Sequence, residues 1–166
     1  MIIQPAYLRI VPDTDLPDIG RHRWFRAIVI LDGVYSEAWQ DKVSRWLVDA
    51  GCLYMMAWGP NCTTWDDSVD LAQIEKFLPG EAPENEFVMT TWHDNESLEE
   101  VFWFAQMCAY DAYDRIENIL IVHIGERERE RELLSLFDVS RTFADRGSEI
   151  EMTKSNRGWF QRLFGN

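Results

Sequence analysis

The stretch WFRAIVILDG, residues 24–33, decides the fold class of this chain. Its centre, AIVIL, is a continuous apolar run that ends at Asp32 and Gly33. Continuous apolar runs of this length are typical of strands that are covered on both faces, as in a parallel sheet. Three later stretches have the same character: CLYMMAW (52–58), FVMTTW (87–92) and NILIVHIG (118–125).

A helical segment follows each of these four strands. Ser36 is the predicted N-cap of the first helix, and Gly51 is its C-terminal stop. Thr63 or Thr64 is the predicted cap of the second helix, and Asn95 that of the third. The four segments are EAWQDKVSRWLVDAG (37–51), WDDSVDLAQIEKFL (65–78), ESLEEVFWFAQMCAYDAYDR (96–115) and ERERERELLSLF (126–137).

The alternation of strands and helices predicts an α/β three-layer sandwich with a mostly parallel, Rossmann-like sheet of four to five strands. Residues 1–23 form an irregular lead-in, in which AYLRIV (6–11) is a candidate edge strand. We expect a single domain over residues 1–150. The remaining segment, 151–166, is a locally basic amphipathic tail whose apolar residues are Trp159, Phe160, Leu163 and Phe164.

The charge of the chain is strongly negative, with 29 acids, 16 bases and a net charge of -13. Phosphate contacts need Lys and Arg, so this balance argues against nucleic acid as a partner, and equally against an anionic membrane surface. It permits a basic protein partner. Three cysteines without a pairing pattern, and no signal peptide or membrane-spanning stretch, predict a cytoplasmic protein.

The predicted functional edge lies where the four strands end. In open α/β sheets, ligands bind at the carboxyl ends of the strands, near the point where strand order reverses. The residues that follow the four strands supply Asp32, Cys62, His93 with Asp94, and His123. If the strands run in parallel, these side chains share one edge of the sheet.

Cys62 is the candidate nucleophile at this edge, because it lies just before a predicted helix N-terminus, where a thiolate is stabilised. His93 would act as its base, and Asp94 or Asp32 would orient the imidazole, as in a hydrolase or transferase. Asp66 and Asp67 in the first turn of the second helix oppose this interpretation, since nearby negative charge disfavours a thiolate.

Two ligand-binding interpretations use the same edge. A nucleotide-like molecule would use Asp32 for ribose hydroxyls, with stacking on Trp58, Trp92 or Tyr35, although no phosphate-binding glycine motif is present. A metal would need His93, His123 and Cys62 with a carboxylate, or Asp66 with Asp70 on one helix face. The ligand spacing fits no established metal motif, so we predict neither a metal nor a cofactor.

Protein recognition is the favoured prediction, because Trp and Tyr side chains at a surface are common anchors of interfaces. The motifs WGPNCTTWDDSVD and TTWHDNESLEEVFWF resemble small uncharacterised bacterial α/β domains, and this resemblance implies no activity and no residue role. We expect an adaptor or neutralising, immunity-like module, and the aromatic content also permits a homodimer. The predicted ligand-binding residues are Asp32, Trp58, Trp65, Asp66, Asp67, Trp92 and His123.

Overall fold

A computed structural model describes residues 4–20, 24–109, 116 and 118–142, which form a five-stranded sheet with helices on both faces. The strands are β1 Ala6–Ile10, β2 Phe25–Leu31, β3 Cys52–Trp58, β4 Met89–His93 and β5 Asn118–Ile124. The helices are α1 Glu37–Ala50, α2 Trp65–Phe77, α3 Leu98–Met107 and α4 Glu130–Ser140, and a short 3-10 helix, Cys62–Thr64, precedes α2.

The sheet is parallel throughout, with the strand order β1-β5-β2-β3-β4. At its centre, Val29 of β2 lies between Ala57 of β3 and Val122 of β5. All seven residues of β2 are buried, as the continuous apolar run AIVIL predicts. The predicted parallel sheet is therefore confirmed, and the strand predicted at residues 6–11 lies at one edge of it.

Two apolar layers form on opposite faces of the sheet. Ala27, Val29 and Leu31 face the layer that α1 and α2 cover. Ile28 and Ile30 face the layer that α3 and α4 cover. Because successive strand residues point to opposite faces, β2 contributes to both layers. This arrangement confirms the predicted α/β three-layer sandwich.

The predicted capping residues are confirmed at α1, but the N-caps of α2 and α3 differ from the prediction. Ser36 accepts a hydrogen bond from the backbone of Trp39, and Gly51 ends α1 in the left-handed conformation with φ of 92°. The Thr64 side chain does not cap α2, because the chain enters that helix through the 3-10 turn. Ser97, not Asn95, caps α3, because Ser97 and Glu100 form a capping box.

The fourth helix starts at Glu130, four residues later than the charge pattern predicts. Residues 126–129 are instead a loop that contacts β1: Arg9 donates to the carbonyl of Glu126 at 2.7 Å. The tail at 151–166 lies outside the described residues. No helix in the described ranges is long and apolar enough to cross a bilayer.

Candidate functional site

The point at which the strand order reverses lies between β2 and β5, which are neighbours in the sheet. From β2 the chain continues through α1 and α2 to β3 and β4, whereas it returns through α3 to β5 on the other side of β2. The loops after β2 and β5 therefore lead to helices on opposite faces of the sheet. This is the position at which open α/β sheets bind ligands. Asp32 and His123 lie there in direct contact.

His123 is fully buried, and both of its ring nitrogens are hydrogen-bonded. Its Nε2 lies 2.8 Å from Oδ2 of Asp32, and its Nδ1 lies 2.9 Å from the hydroxyl of Tyr7. A carboxylate can only accept, so Nε2 donates to Asp32. In a neutral imidazole, Nδ1 is then the acceptor, and the hydroxyl of Tyr7 donates a hydrogen bond to it. The result is a chain of hydrogen bonds from β1 through β5 to the end of β2.

Arg129 closes this chain from the loop before α4. Its guanidinium donates to Oδ1 of Asp32 at 2.8 Å, and its backbone N–H donates to the hydroxyl of Tyr7 at 3.3 Å. Burial and the neighbouring Glu128 carboxylate raise the pKa of Tyr7 to about 12, so the phenol is protonated at neutral pH. Both oxygens of Asp32 and both nitrogens of His123 are thus engaged inside the cluster, which orients these groups and ties three strands together.

His93 lies in a separate cluster with Thr91 and Glu96 at the end of β4. Cys62 follows β3 but packs into the apolar layer under α1 and α2, whereas the His93 ring contacts Phe104 on the other face of the sheet, so the predicted pair of thiol and imidazole does not form. The Cys62 side chain is buried, and this burial raises the pKa of its thiol. The imidazole of His93 contacts the hydroxyl of Thr91 at 3.1 Å and a carboxylate oxygen of Glu96 at 3.7 Å. Asp94 instead accepts a hydrogen bond from Asn95. The carboxylate beside His93 is therefore Glu96, and not the predicted Asp94.

The predicted nucleophile can be tested by alkylation. We expect Cys62 to react slowly with iodoacetamide near pH 6, because only 1 % of the residue is exposed and burial raises the pKa of its thiol above the usual value. Mass spectrometry of the labelled chain would compare its rate with that of Cys52, which is also fully buried. Labelling of Cys62 that is much faster than that of Cys52 would contradict this expectation and support the hydrolase alternative.

Three predicted aromatic residues do not form one recognition surface. β3 and β4 are neighbours, but Trp58 pairs with His93 and Ala57 with Trp92. Trp58 and Trp92 therefore point to opposite faces of the sheet, where they pack against different apolar layers. Trp65 is 1 % exposed and belongs to the core. Their register differs by one residue, so the predicted stacking residues Trp58 and Trp92 cannot line one binding site.

The predicted carboxylates of α2 lie at its start, where Asp67 is exposed and Asp66 is half-buried. Burial raises the pKa of Asp66. Across residues 4–20, 24–109, 116 and 118–142, no group of three or more His, Cys, Asp or Glu side chains is placed to hold a metal ion. The metal alternative with His93 and His123 is wrong for this reason, and because the two imidazoles belong to separate clusters.

The outer face of α2 carries an unexpected apolar surface. Val69 and Ala72 point inward, whereas Ile74 is 56 % exposed and lies outside the inner face. Large apolar residues that are exposed together, rather than singly, commonly mark interaction sites. We call this patch the α2 surface, and its residues are Leu71, Ile74, Leu78 and Phe87.

A groove of about 410 Å³ lies between α2 and the loop that leads to β4. The side-chain amide of Gln73 forms its floor by pairing with the backbone of Val88, donating at 3.3 Å and accepting at 3.1 Å. Asp70 accepts a hydrogen bond from Gln73 at 3.1 Å and lines the same groove. Ile74 and Phe87 supply its apolar walls, and Glu81 supplies a second carboxylate.

Residues 5–140 match the family described as Domain of unknown function (DUF7684). The chain belongs to this family. The matched residues include every described strand and helix, the cluster around His123 and the groove beside α2. No curated protein and no solved structure matches the chain.

Sequence reasoning missed several residues of these sites. Tyr7 lies in a short edge strand whose pattern carries no signal of a buried partner, and Arg129 is hidden in an alternating run of Glu and Arg. The α2 surface did leave a signal. Leu71, Ile74 and Leu78 are spaced i, i+3 and i+7, which places them on one side of a helix.

Proposed function

We propose that this protein is a cytoplasmic protein-recognition module, of the adaptor or neutralising type, that binds a basic region of another protein. The observation that carries the proposal is the α2 surface, an exposed apolar patch flanked by carboxylates. Apolar anchors supply much of the energy of protein interfaces, while surrounding charges steer the partner and select it.

The charge distribution supports a basic partner. Between residues 61 and 109 the chain has eleven acids and a single base, Lys76. The amine of Lys76 already lies 3.8 Å from Asp49 and 3.9 Å from Glu86, so it neutralises little of the remaining charge. An anionic surface of this kind attracts cationic partners and accelerates their association at low ionic strength.

The two alternatives have less support. A hydrolase that uses Cys62 needs a thiolate, whereas burial raises the pKa of this thiol. A nucleotide-like ligand would need the carboxylate of Asp32, but His123 and Arg129 already occupy its two oxygens. A ribose hydroxyl at this position would have to share the carboxylate with both of these donors.

Capture from a lysate of the native host tests the proposal. We expect the wild-type chain to retain one stoichiometric basic protein that is released as the salt concentration rises. A variant with Glu81→Gln and Glu84→Gln should retain less of it. The matched control, Glu37→Gln with Glu130→Gln, removes the same charge from exposed positions in α1 and α4 and should retain as much as the wild type. Recovery of the wild-type chain alone would overturn the proposal.

A further inference from the structure

We propose that the partner binds through a basic segment that inserts one large apolar side chain into the groove beside α2 and pairs its cations with Asp70 and Glu81. This inference rests on the proposed function and names the chemistry of the partner at that surface. The proposed occupant is a segment of a separate protein.

The size and lining of the groove fit an anchoring side chain. Its volume of about 410 Å³ lies near the lower end of the range for ligand pockets, roughly 300–1,000 Å³. Two apolar side chains, Ile74 and Phe87, line it, and both are about half exposed. An aromatic or branched side chain between them would remove both from water, which stabilises the complex in proportion to the apolar area buried.

The groove is also held in shape before any partner arrives. Gln73 is 4 % exposed, and its amide forms two hydrogen bonds with the backbone of Val88 and one with Asp70. These bonds fix the loop that carries Phe87 against α2. A site that is ordered in advance loses less conformational entropy on binding, so a larger share of the contact energy appears as affinity.

Charge identifies the class of segment that would bind. In the part of the chain that the structure describes, no ion pair involves Asp70, Glu81 or Glu84. Two other acids of the same region are paired, since Glu75 contacts Arg45 at 2.9 Å and Glu86 contacts Lys76. Burial raises the pKa of Asp70, and a cation placed beside it would favour its ionised form. These carboxylates, which have no cationic partner among the described residues, thus select Lys or Arg near the anchor.

Two other candidate occupants of the groove are a second copy of the chain and the chain's own segment 151–166. A second copy of the chain would meet this surface with the same surface, because a two-fold interface is self-complementary. Like charges would then lie opposite each other. The chain's own segment 151–166 contains Lys154, Arg157 and Arg162 together with Trp159 and Phe160, so its composition resembles that of the proposed partner segment.

Short synthetic peptides test the inference on the full-length chain. Each peptide in the panel has Lys and Arg flanking one central Trp, Phe or Leu, and its matched peptide has Ser at the centre. Fluorescence anisotropy would give the dissociation constants. We expect at least one apolar peptide to bind about tenfold more tightly than its Ser counterpart. Replacing Ile74→Ser should remove this difference, whereas Met107→Ser, a similarly exposed change on the opposite helical layer, should preserve it.

A second variant tests whether the two carboxylates of the groove attract the cations of the peptide. Asp70→Asn with Glu81→Gln should weaken the binding of every basic peptide about tenfold at low salt, and much less at high salt. A panel in which no apolar peptide outperforms its Ser counterpart would overturn the inference. The same holds if Ile74→Ser leaves the preference intact.

Capture with the Ile74→Ser variant separates this inference from the proposed function. If that variant retains the natural partner as well as the wild type does, the groove inference is wrong and the proposed function stands. If the wild type retains no partner, the proposed function fails. A gain of about tenfold in peptide affinity on Trp159→Ser with Phe160→Ser would assign the groove to the chain's own tail and overturn the inference of a separate partner.

Discussion

Replacing Arg26 with methionine is expected to lower the free energy of unfolding by about 3 kcal/mol. Arg26 is 5 % exposed, and its guanidinium donates to the backbone carbonyls of Ala105 and, at 2.8 Å, of Ile116. Methionine fills the volume of the aliphatic stem but leaves both carbonyls without these donors. Hydrogen bonds to a charged group contribute about 1.5–3 kcal/mol each, and the relief of desolvating the cation offsets part of that loss.

The position of Arg26 explains why the loss is large. Ala105 is in the last turn of α3, where unpaired carbonyls form the negative end of the helix dipole. That turn contains no basic residue of its own, so the neighbouring strand supplies the cation. The bond to Ile116 also fixes the chain just before β5, and Arg26 therefore links β2, α3 and the entry to β5.

Urea unfolding, followed by the fluorescence of the eight tryptophans, measures this prediction. Arg26→Lys is the informative control, because it keeps the charge but loses the planar fork that reaches two carbonyls. We expect its loss to be smaller than that of Arg26→Met. An Arg26→Met variant as stable as the wild type would show that other contacts satisfy both carbonyls.

The fold was predictable because its central signal is local. AIVIL is apolar at every position and ends at Asp32 and Gly33, and a short run bounded in this way is typical of a strand covered on both faces. Ser36 and Gly51 likewise act locally, Ser36 through its hydroxyl and Gly51 through its left-handed backbone, so their positions mark the ends of α1 correctly. Arg26 lies directly before AIVIL, but the local sequence does not indicate that it is buried. Its partners are far along the chain, and no local pattern indicates that a charged strand residue reaches a helix end.

The site was predictable only in part, for the same reason. Parallel strands bring their carboxyl ends to one edge, and this rule correctly places Asp32 near His123. The rule does not give the strand order. β5 turned out to lie beside β2 while β4 lies at the far edge, which separates His123 from His93. The direction of each side chain also depends on register, and a shift of one residue reverses it.

Replacing Gly125 with alanine is expected to lower the free energy of unfolding by about 2–3 kcal/mol. Gly125 follows β5 and is buried, and a Cβ atom there would overlap the carboxylate of Asp32 and lie 2.9 Å from Nε2 of His123. The carboxylate would have to move away. That movement breaks its hydrogen bonds to His123 and Arg129, and it leaves a fully buried imidazole N–H without an acceptor.

A second glycine provides the matched control. A Cβ atom at Gly33 would lie 3.7 Å from the hydroxyl of Tyr35, an ordinary contact, so Gly33→Ala should change the stability by less than about 1 kcal/mol. A double-mutant cycle isolates the proposed cause. In an Asp32→Ala background the overlapping carboxylate is gone, and Gly125→Ala should then cost much less than it does in the wild type. Equal costs in both backgrounds would mean that the destabilisation does not come from displacing the Asp32 carboxylate.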